Sequence, residues 1–326
     1  MITRCKFVST LGACALAPFA SFAQQSAKLY RVGFLGAATA ADFGNRVEEM
    51  RKALRELGYI EGKNVIYEER WADNNNDRLP DLAADLVRVK CDVIVTSGTP
   101  GTLALKRATT TIPIVMATSG DAVKAGLVAS LARPGGNVTG LTFFGPELYA
   151  KRVELIKEAV PRINSIAYLV NPDNSGDLAN LSSVEKTAKH LKLTIHVFEA
   201  RSKNDFEIAF SAMAKKRADA VIATNDTLLT SNHTTIAALA AKQRLPSAGP
   251  AELAVAGGLI GFGPNVLGLF RRSATYVDKI LKGAKPADIP VEQPTIFEVA
   301  VNMKTAKALG IKFPNSIMVQ ATKVIE

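Results

Sequence analysis

The feature that most constrains the fold is a regular alternation of short apolar segments with longer amphipathic segments. Residues 30–36 and 92–97 are apolar runs of strand length, and residues 99–108 repeat their apolar side chains at helical spacing. Strands that alternate with helices of this length form a parallel sheet covered by helices on both faces. The sequence therefore predicts an α/β fold.

The alternation occurs twice along the chain. Gly-Pro pairs interrupt regular structure after a strand, and they mark a first change of lobe at residues 145–146, between the two series, and a second at residues 263–264, where the second series ends. Two successive sets of βα units, each of about 120 residues, predict two similar doubly wound parallel-sheet lobes. By the same criteria we predict helices over residues 42–57, 77–89, 121–131, 151–160, 176–191, 203–217, 231–244, 267–281 and 302–309.

The first 23 residues have the layout of a secretory signal peptide. Arg4 and Lys6 precede an apolar stretch over residues 7–20, which is shorter than the about 20 residues that a spanning helix needs. Small residues then occupy both ends of the segment 21–23, as at a signal-peptide cleavage site. A lipoprotein cleavage box ending at Cys14 is the alternative, but it leaves an unusually short apolar core. We expect export to the periplasm after cleavage.

Composition and charge exclude several classes of protein. Apolar residues make up 48% and charged residues 21% of the chain, as in soluble globular proteins. Loss of the leader lowers the net charge from +10 to +8 and leaves Cys91, interpreted as a packed thiol, as the one remaining cysteine. The basic excess lacks interleaved aromatic residues and a DNA-binding motif, so we do not expect a nucleic-acid partner.

The sequence lacks the patterns that enzymes use for catalysis. None of the three histidines pairs with a Cys or Glu at metal-ligand spacing, and no H-E-x-x-H, G-x-S-x-G or phosphate-loop motif occurs. The glycines of residues 258–263 are in the wrong order for a dinucleotide loop. We therefore predict a binding protein with no catalytic residues, no metal and no cofactor. The enzyme alternative, a small-molecule hydrolase or isomerase on the same fold, has no nucleophile and base that we can name.

A polar loop at the end of a predicted strand is the first candidate binding site, because α/β sheets bind ligands at the carboxyl ends of their strands. Ser97 ends a strand, Gly98 allows close approach to the backbone, and Thr99 begins the next helix just before Pro100. Free N–H groups, a positive helix end and two hydroxyls form a site for a carboxylate or phosphate. The alternative is simple helix capping by Thr99.

Further polar residues follow other strands. Thr118, Ser119 and Asp121 form a second cluster in the first half, where Asp121 could equally cap a helix. In the second half, Thr224, Asn225 and Asp226 end a strand. Asp226 either holds a ligand ammonium or caps a helix. Asn171 closes another strand of the second half, where a turn is the simpler interpretation.

Several short motifs together make the chain similar to a known family. It resembles the periplasmic substrate-binding proteins of ABC transporters, specifically the family with tryptophan/tyrosine-type binding components. The motifs that carry the resemblance are Arg70-Trp71-Ala72, Asp77-Arg78-Leu79-Pro80, Ser97-Gly98-Thr99-Pro100, Arg133 to Gly140 (RPGGNVTG), Ile280-Leu281-Lys282-Gly283, Pro286 to Pro290 (PADIP) and Lys304 to Gly310 (KTAKALG).

The resemblance implies a fold like the type I periplasmic binding proteins, with two lobes joined by three crossings of the chain. It implies an N-terminal lobe of residues 24–143 plus 264–292 and a C-terminal lobe of residues 144–263 plus 293–326. The loop of Ser97, Gly98 and Thr99 would then take a ligand α-carboxylate. Asn225 or Asp226 would take its ammonium. Thr39, in the first strand-end loop, and Phe143, where the chain changes lobe, complete the candidate ligand-binding residues.

The resemblance also implies what the protein does and with which partners. A small anionic or zwitterionic organic solute, amino-acid-like or aromatic, would bind between the lobes of a monomer. The lobes would close around it, and a membrane permease would recognise the closed form. A sensor component that feeds a signalling partner is the alternative role and would use the same closure.

Export is directly testable. We expect periplasmic protein to begin at Gln24, because cleavage after Ala23 matches the small-x-small pattern. Mass spectrometry of the intact protein from a periplasmic fraction measures this N-terminus. A lipidated Cys14, or a cytoplasmic protein that retains Met1, would contradict the prediction.

Overall fold

A computed structural model describes residues 28–143 and 145–326 of the chain. The predicted signal peptide, with Cys14 and the cleavage site, lies outside the described residues. The described chain forms two α/β lobes, each built on one sheet in which most neighbouring strands run parallel. This confirms the fold class that the alternation of segments predicts.

The first sheet has five parallel strands in the spatial order β2-β1-β3-β4-β5. Its central strands are apolar because helices cover both of its faces. The strands are β1 (Tyr30–Gly36), β2 (Val65–Trp71), β3 (Val93–Ser97), β4 (Ile114–Thr118) and β5 (Val138–Gly140).

The second sheet has seven strands in the order β12-β11-β10-β9-β8-β6-β7. Its strands run parallel except where β10 pairs with β11, which is antiparallel because the chain re-enters this lobe from the opposite direction. The strands are β6 (Ser165–Val170), β7 (Thr194–Glu199), β8 (Ala220–Ala223), β9 (Ser247–Gly249), β10 (Ile260–Pro264), β11 (Phe297–Asn302) and β12 (Lys323–Ile325).

Helices connect the strands and cover both sheets, and short 3-10 turns occur at Asn76–Arg78 and Pro286–Asp288. The α-helices are α1 (Ala40–Glu56), α2 (Leu79–Arg88), α3 (Thr99–Ala108), α4 (Gly145–Ala159), α5 (Ser175–Leu178), α6 (Leu181–His190), α7 (Asp205–Lys215), α8 (Thr227–Ser231), α9 (His233–Lys242), α10 (Ala251–Val255), α11 (Val266–Leu281), α12 (Met303–Leu309) and α13 (Asn315–Gln320).

The chain passes between the two sheets three times: after β5, after β10 and before β11. Hydrogen bonds hold the crossing segments together at the base of the lobes. The Thr142 N–H donates to the Glu292 carbonyl at 3.0 Å, and the Asn265 N–H donates to the Ile296 carbonyl at 3.3 Å. These adjacent segments join the two lobes, and the carboxyl ends of strands in both sheets face the same space between them.

Helix α11 returns from the second sheet to the first lobe and completes its core. Phe270, Ala274 and Val277 are buried in one cluster with α1 and with side chains of β1, β3 and β4. The ring of Phe270 lies 6.3 Å from that of Phe34 between centroids. The first lobe therefore buries its apolar surface only when the segment after β10 packs back onto it.

The structure corrects the helix predicted over residues 121–131. This segment is a series of turns in which the Asp121 carboxylate accepts from the N–H groups of Val123 and Lys124, at 3.2 and 2.9 Å. Gly126 has a φ of +67°, which a right-handed helix does not allow. The expected capping by Asp121 therefore closes a turn rather than opening a helix.

One other predicted helix is divided in the structure. The segment 176–191 forms α5 and α6, and the amide of Asn180 between them donates to the Gly176 carbonyl at 2.7 Å. An asparagine side chain here takes a carbonyl that a continuous helix would use. The segment predicted over 231–244 forms one helix, α9, which begins two residues later because the amide of Asn232 donates back to the Leu228 carbonyl at 2.8 Å.

The Cys91 thiol is buried in the first lobe, and burial raises its pKa to about 11, so it is a packed, unreactive thiol.

Among the described residues, no helix combines the length and apolar character that a membrane crossing requires.

The packing of α11 gives a stability prediction. Phe270→Ala should lower the free energy of unfolding by about 3–5 kcal/mol, because it empties a fully buried aromatic site. Leu267→Ala on the same helix is the control, since Leu267 is 45% exposed and its change should stay within about 0.5 kcal/mol. Denaturant unfolding measures both. Equal losses for the two variants would contradict the assignment of α11 to the core of the first lobe.

Candidate functional site

A closed cavity lies between the carboxyl ends of the two sheets. Its lining comes from strand-end loops and helix starts of both lobes, including Ser97, Ser119, Asp177 and Asn225. The centre of a water-sized sphere can occupy about 60 Å³ of this space. The closed form therefore leaves room only for a small molecule, in the place where α/β sheets bind ligands.

The loop after β3 presents Ser97, Gly98 and Thr99 to the cavity. Gly98 is the N-cap of α3 and has a φ of +86°, a conformation that glycine adopts without strain. Thr99 is the first helical residue rather than the predicted N-cap, so its side chain is not used to cap the helix. The strand end and the start of α3 therefore offer the hydroxyls of Ser97 and Thr99, together with backbone N–H groups of the first helical turn, to an anion.

The loop after β4 brings Thr118 and Ser119 to the same cavity, and Phe143 reaches it from the crossing segment after β5. The Phe143 N–H donates to the Ser119 carbonyl at 3.0 Å, which fixes the aromatic residue beside the strand end. The hydroxyl oxygens of Thr118 and Ser119 are buried and have no hydrogen-bond partner among the described residues. Buried polar atoms are normally paired, so these two hydroxyls are available to hydrogen-bond a molecule bound in the cavity.

The second lobe contributes a buried carboxylate with amides beside it. Asp177, 3% exposed, accepts from the hydroxyl of Tyr149 at 3.3 Å and from the hydroxyl of Thr224. The side-chain oxygens of Asn180 and Asn225 are buried and, within the described chain, unpaired. Asp177 and both asparagines line the cavity. This wall is therefore rich in acceptors, whereas the opposite wall offers donors.

Asp226 does not occupy the position that the sequence suggests. It is 2% exposed and lies behind the cavity lining. Its carboxylate accepts from the amides of Asn171 and Asn174, at 3.1 and 2.9 Å, and from the Leu228 N–H at 2.9 Å. Asp226 thus caps α8, and its oxygens are fully used within the protein.

The two buried carboxyl groups differ in how their charge is stabilised. Burial raises the pKa of Asp177 well above its ordinary value, and the neighbouring Asp226 raises it further. Burial also raises the pKa of Asp226, but the amides of Asn174 and Asn171 oppose this. Asp177 receives only two hydroxyl hydrogen bonds, so it is the carboxyl group that gains most from a cation in the cavity.

Contacts across the cleft hold the lobes together on both sides of the cavity. On one side, Lys124 Nζ of the first lobe donates to the Ala179 carbonyl of the second at 2.6 Å. A Cβ added to Gly176 would lie 2.9 Å from Thr99 Oγ1, so α5 packs directly on the start of α3. On the other side, Arg46 on α1 lies 3.9 Å from Glu252 on α10. The structure is a closed form.

The structure brings together seven of the twelve residues proposed from the sequence and leaves five outside the cavity lining. Those in the lining are Ser97, Gly98, Thr99, Thr118, Ser119, Phe143 and Asn225. Those outside it are Thr39, which caps α1, Asp121, which caps a turn, and Asn171, Thr224 and Asp226, which form the hydrogen-bonded layer behind the cavity. The three buried members of this layer hold lining residues in place.

Comparison with known proteins decides the family. Residues 43–325 match the family model described as ABC transporter substrate binding protein. The chain belongs to this family. The resemblance carried by the sequence motifs is thereby confirmed, and the family consists of solute-binding proteins rather than enzymes.

Individual relatives agree with this assignment. A tyrosine-binding protein of Clostridioides difficile (strain R20291) is 28% identical over 262 residues, 80% of this chain and 75% of the relative. An ABC domain from Streptococcus pneumonia, solved in complex with L-Trp, is 27% identical with a TM-score of 0.85, covering 91% of this chain and all of that one. A conserved domain protein of Vibrio cholerae O1 is 28% identical with a TM-score of 0.86 over the same shares. The fold is that of the type I periplasmic binding proteins.

Several residues that line the cavity of this substrate-binding protein were missed by sequence reasoning. Phe43 and Arg46 lie on α1, where they follow an ordinary amphipathic pattern. Asp177 lies within what reads as one long helix. Asn174 and Asn180 on either side of it are the available signal, because asparagine favours helix ends over helix interiors.

Within the described part of the chain, no group of three His, Cys, Asp or Glu side chains could hold a metal ion. Charge in this cavity comes instead from Asp177 on one side and from Arg46 and Glu252 on the other.

The buried carboxyl group of Asp177 predicts a gain in stability when it is removed. Asp177→Asn should stabilise the ligand-free protein at neutral pH by about 0.5–2 kcal/mol, as substitutions of strained functional residues commonly do. Because the folded-state pKa of Asp177 is raised, its contribution is most favourable below the unfolded pKa of about 3.9 and is lost as pH rises. The difference in the free energy of unfolding between the variant and the wild type should therefore appear above about pH 4 and increase with pH.

Melting curves of both proteins between pH 4 and pH 8 measure this difference. Asp205→Asn is the control, because Asp205 is a partly exposed acid of the same lobe that accepts N–H groups and has a lowered pKa. That substitution should destabilise rather than stabilise. A destabilised Asp177→Asn protein at pH 8 would contradict the prediction.

Proposed function

We propose that this protein is the extracytoplasmic solute-binding component of an ABC importer and that its solute is an α-amino acid with an apolar or aromatic body. One observation carries the proposal. The cavity between the lobes has, on one wall, a helix start and hydroxyls that are unpaired among the described residues, and on the other a buried, poorly compensated carboxylate. A zwitterion supplies a matching group to each wall.

The first lobe supports binding of the α-carboxylate. Ser97, Thr99 and Ser119 provide hydroxyl donors, and the N-terminal turn of α3, a helix of ten residues, provides backbone N–H groups. Hydrogen bonds to an ionised acceptor are about twice as strong as neutral ones, and the positive end of the helix adds to them. A carboxylate there would pair the Ser119 hydroxyl, which is buried and has no partner in the described part of the chain.

The second lobe supports binding of the ammonium at Asp177. Its carboxylate reaches the cavity, and the Asn225 oxygen, unpaired within the described residues, lies on the same wall. An ammonium has three donors and no acceptor, so it can serve both oxygens and one more. Asp226, the sequence candidate for this role, has its oxygens occupied by other partners. We therefore assign the ammonium to Asp177 and treat Asp226 as the residue that holds Asn174 in place.

The remaining lining is suited to the body of the solute. Phe43, Phe143, Pro250 and Val266 provide apolar surface from both lobes. Aromatic side chains bind flat apolar groups with large contact area. The relatives are a tyrosine-binding protein and a domain solved with L-Trp, which supports the same class of solute here.

Closure of the lobes would allow the membrane permease to distinguish the solute-bound protein from the empty protein. The ligand can stabilise the closed form only through contacts that both lobes make at once. The groups that would bind the carboxylate of the solute belong to the first lobe, and those that would bind its ammonium belong to the second. A zwitterionic solute would therefore contact both lobes. A permease that recognises the closed arrangement would then receive loaded protein selectively, and import would follow.

The proposal is tested by calorimetric titration of the mature protein with L-tryptophan, L-tyrosine, L-phenylalanine and L-leucine. At least one should bind, and its deaminated analogue, such as 3-phenylpropionate for phenylalanine, should bind at least tenfold more weakly. Asp177→Asn should weaken binding of the amino acid by about 10- to 100-fold, because a hydrogen bond to a charged group is worth about 1.5–3 kcal/mol. Uptake of that amino acid by intact cells should fall with it.

The same Asp205→Asn variant serves as the control for binding. It removes an acid from the second lobe outside the cavity, so the affinity for the amino acid should not change. An unchanged affinity in Asp177→Asn, or equal binding of the amino acid and its deaminated analogue, would exclude an ammonium at this carboxylate.

A further inference from the structure

Arg46 is a cavity residue that the α-amino-acid assignment does not use. Its side chain is only 13% exposed, and its guanidinium carbon lies 3.8 Å above the centroid of the Phe43 ring. Among the described residues, none of its N–H groups has a hydrogen-bond acceptor within range. The nearest carboxylate oxygen, of Glu252, lies 3.9 Å away, which is beyond hydrogen-bonding distance.

The charges around Arg46 leave it poorly compensated. Burial lowers the pKa of Arg46, and Glu252, which is 40% exposed at its side chain, opposes this only partly. The nearby His233 is buried, and burial together with Arg46 and Arg152 lowers its pKa to about 3, so it is neutral at physiological pH. Arg152 is a second buried guanidinium and adds positive charge to this region.

Arg46 also lies at a different part of the cavity from the two walls already described. It is on α1 and approaches α10 of the second lobe. The loop of Ser97, Gly98 and Thr99 instead meets α5 at Gly176 and α8 at Thr227. A ligand anchored by Ser97 and Asp177 would therefore extend its body past Phe43 toward Arg46.

We propose that Arg46 is a specificity-determining residue and that the preferred solute ends, opposite its α-carbon, in an oxygen acceptor. The proposal rests on the proposed function for the orientation of the solute. A hydroxyl, carbonyl or carboxylate oxygen would accept from the guanidinium while the ring of the solute packs beside Phe43. The guanidinium is planar and presents several donors in a fixed fork, so it suits such an oxygen.

The selectivity follows from the cost of an unpaired donor. A solute that ends in hydrogen displaces water from Arg46 and offers no acceptor, which leaves a buried charge without hydrogen bonds. Sites built to pair a polar group discriminate strongly against analogues that lack it. Because Arg46 keeps a distant contact with Glu252, we expect a discrimination of about 10- to 100-fold, in the range of one charge-assisted hydrogen bond.

Matched probes isolate the terminal group. The amino-acid series is L-phenylalanine, L-tyrosine and 4-carboxy-L-phenylalanine, which end in hydrogen, hydroxyl and carboxylate. The deaminated series is 3-phenylpropionate and 3-(4-hydroxyphenyl)propionate, which differ by the same hydroxyl but lack the ammonium. Titration calorimetry gives an affinity ratio within each series, and the hydroxyl and carboxylate probes distinguish a neutral from a charged acceptor.

Three variants test whether Arg46 causes the difference in affinity between oxygen-ended and hydrogen-ended probes. Arg46→Met keeps an apolar stem but removes the donors. In this variant, the ratio of the affinities for oxygen-ended and hydrogen-ended probes should be close to one. Glu252→Gln leaves Arg46 without a competing carboxylate, and it should raise binding of the carboxylate probe several-fold relative to the hydroxyl probe. Arg55→Gln on the same helix is the control, since Arg55 is exposed and pairs with Glu48 outside the cavity. Its ratios should equal those of the wild type.

The possible results separate the two proposals. Equal binding of amino acids and their deaminated analogues overturns the ammonium assignment. Equal binding of oxygen-ended and hydrogen-ended probes by the wild type overturns the role of Arg46, and so does a ratio that survives in Arg46→Met. If Arg46→Met does not fold, an unchanged carboxylate preference in Glu252→Gln overturns that role instead. No binding of any probe overturns both.

Discussion

The return of α11 to the first lobe is the packing interaction on which the rest of the structure depends. Phe270 and its neighbours complete a core that α1 and the first sheet do not fill alone. To reach that place, the chain must leave the second sheet after β10 and come back before β11. The crossings that result lie side by side and tie the lobes at one edge, which leaves the carboxyl ends of both sheets facing across a cleft.

That geometry gives the two walls opposite electrostatic characters. The first lobe contributes a helix start and hydroxyls, so it favours negative groups. The second lobe buries Asp177 and Asp226 close together, and the amides of Asn171 and Asn174 stabilise only the second of these. The carboxyl group whose charge is less well compensated is thus Asp177, in the cavity, where a ligand cation can stabilise it.

The sequence allowed prediction of the fold and of one wall of the site, but not of the other. Alternating apolar runs predict parallel sheets, and their strand ends locate Ser97 and Ser119, because the position of a loop after a strand is a local property. Asp177 follows no strand directly. It faces the cavity because Asn174 and Asn180 cut a short helix out of a longer helical pattern. Arg46 looks like the polar face of α1, and only the approach of the second lobe turns that face into a cavity wall.

The contacts beside the cavity bear on how fast a solute leaves. Lys124 reaches the Ala179 carbonyl and Arg46 approaches Glu252 from the other lobe, one on each side of the cavity. A solute cannot escape until these contacts part, so the rate of lobe opening sets an upper limit on dissociation for every solute held in the closed form. A solute that makes stronger contacts with both lobes stabilises the closed form, so it also lowers the rate of opening and is released more slowly. The residence time of a solute in such a protein depends on the contacts between the lobes as much as on the solute itself.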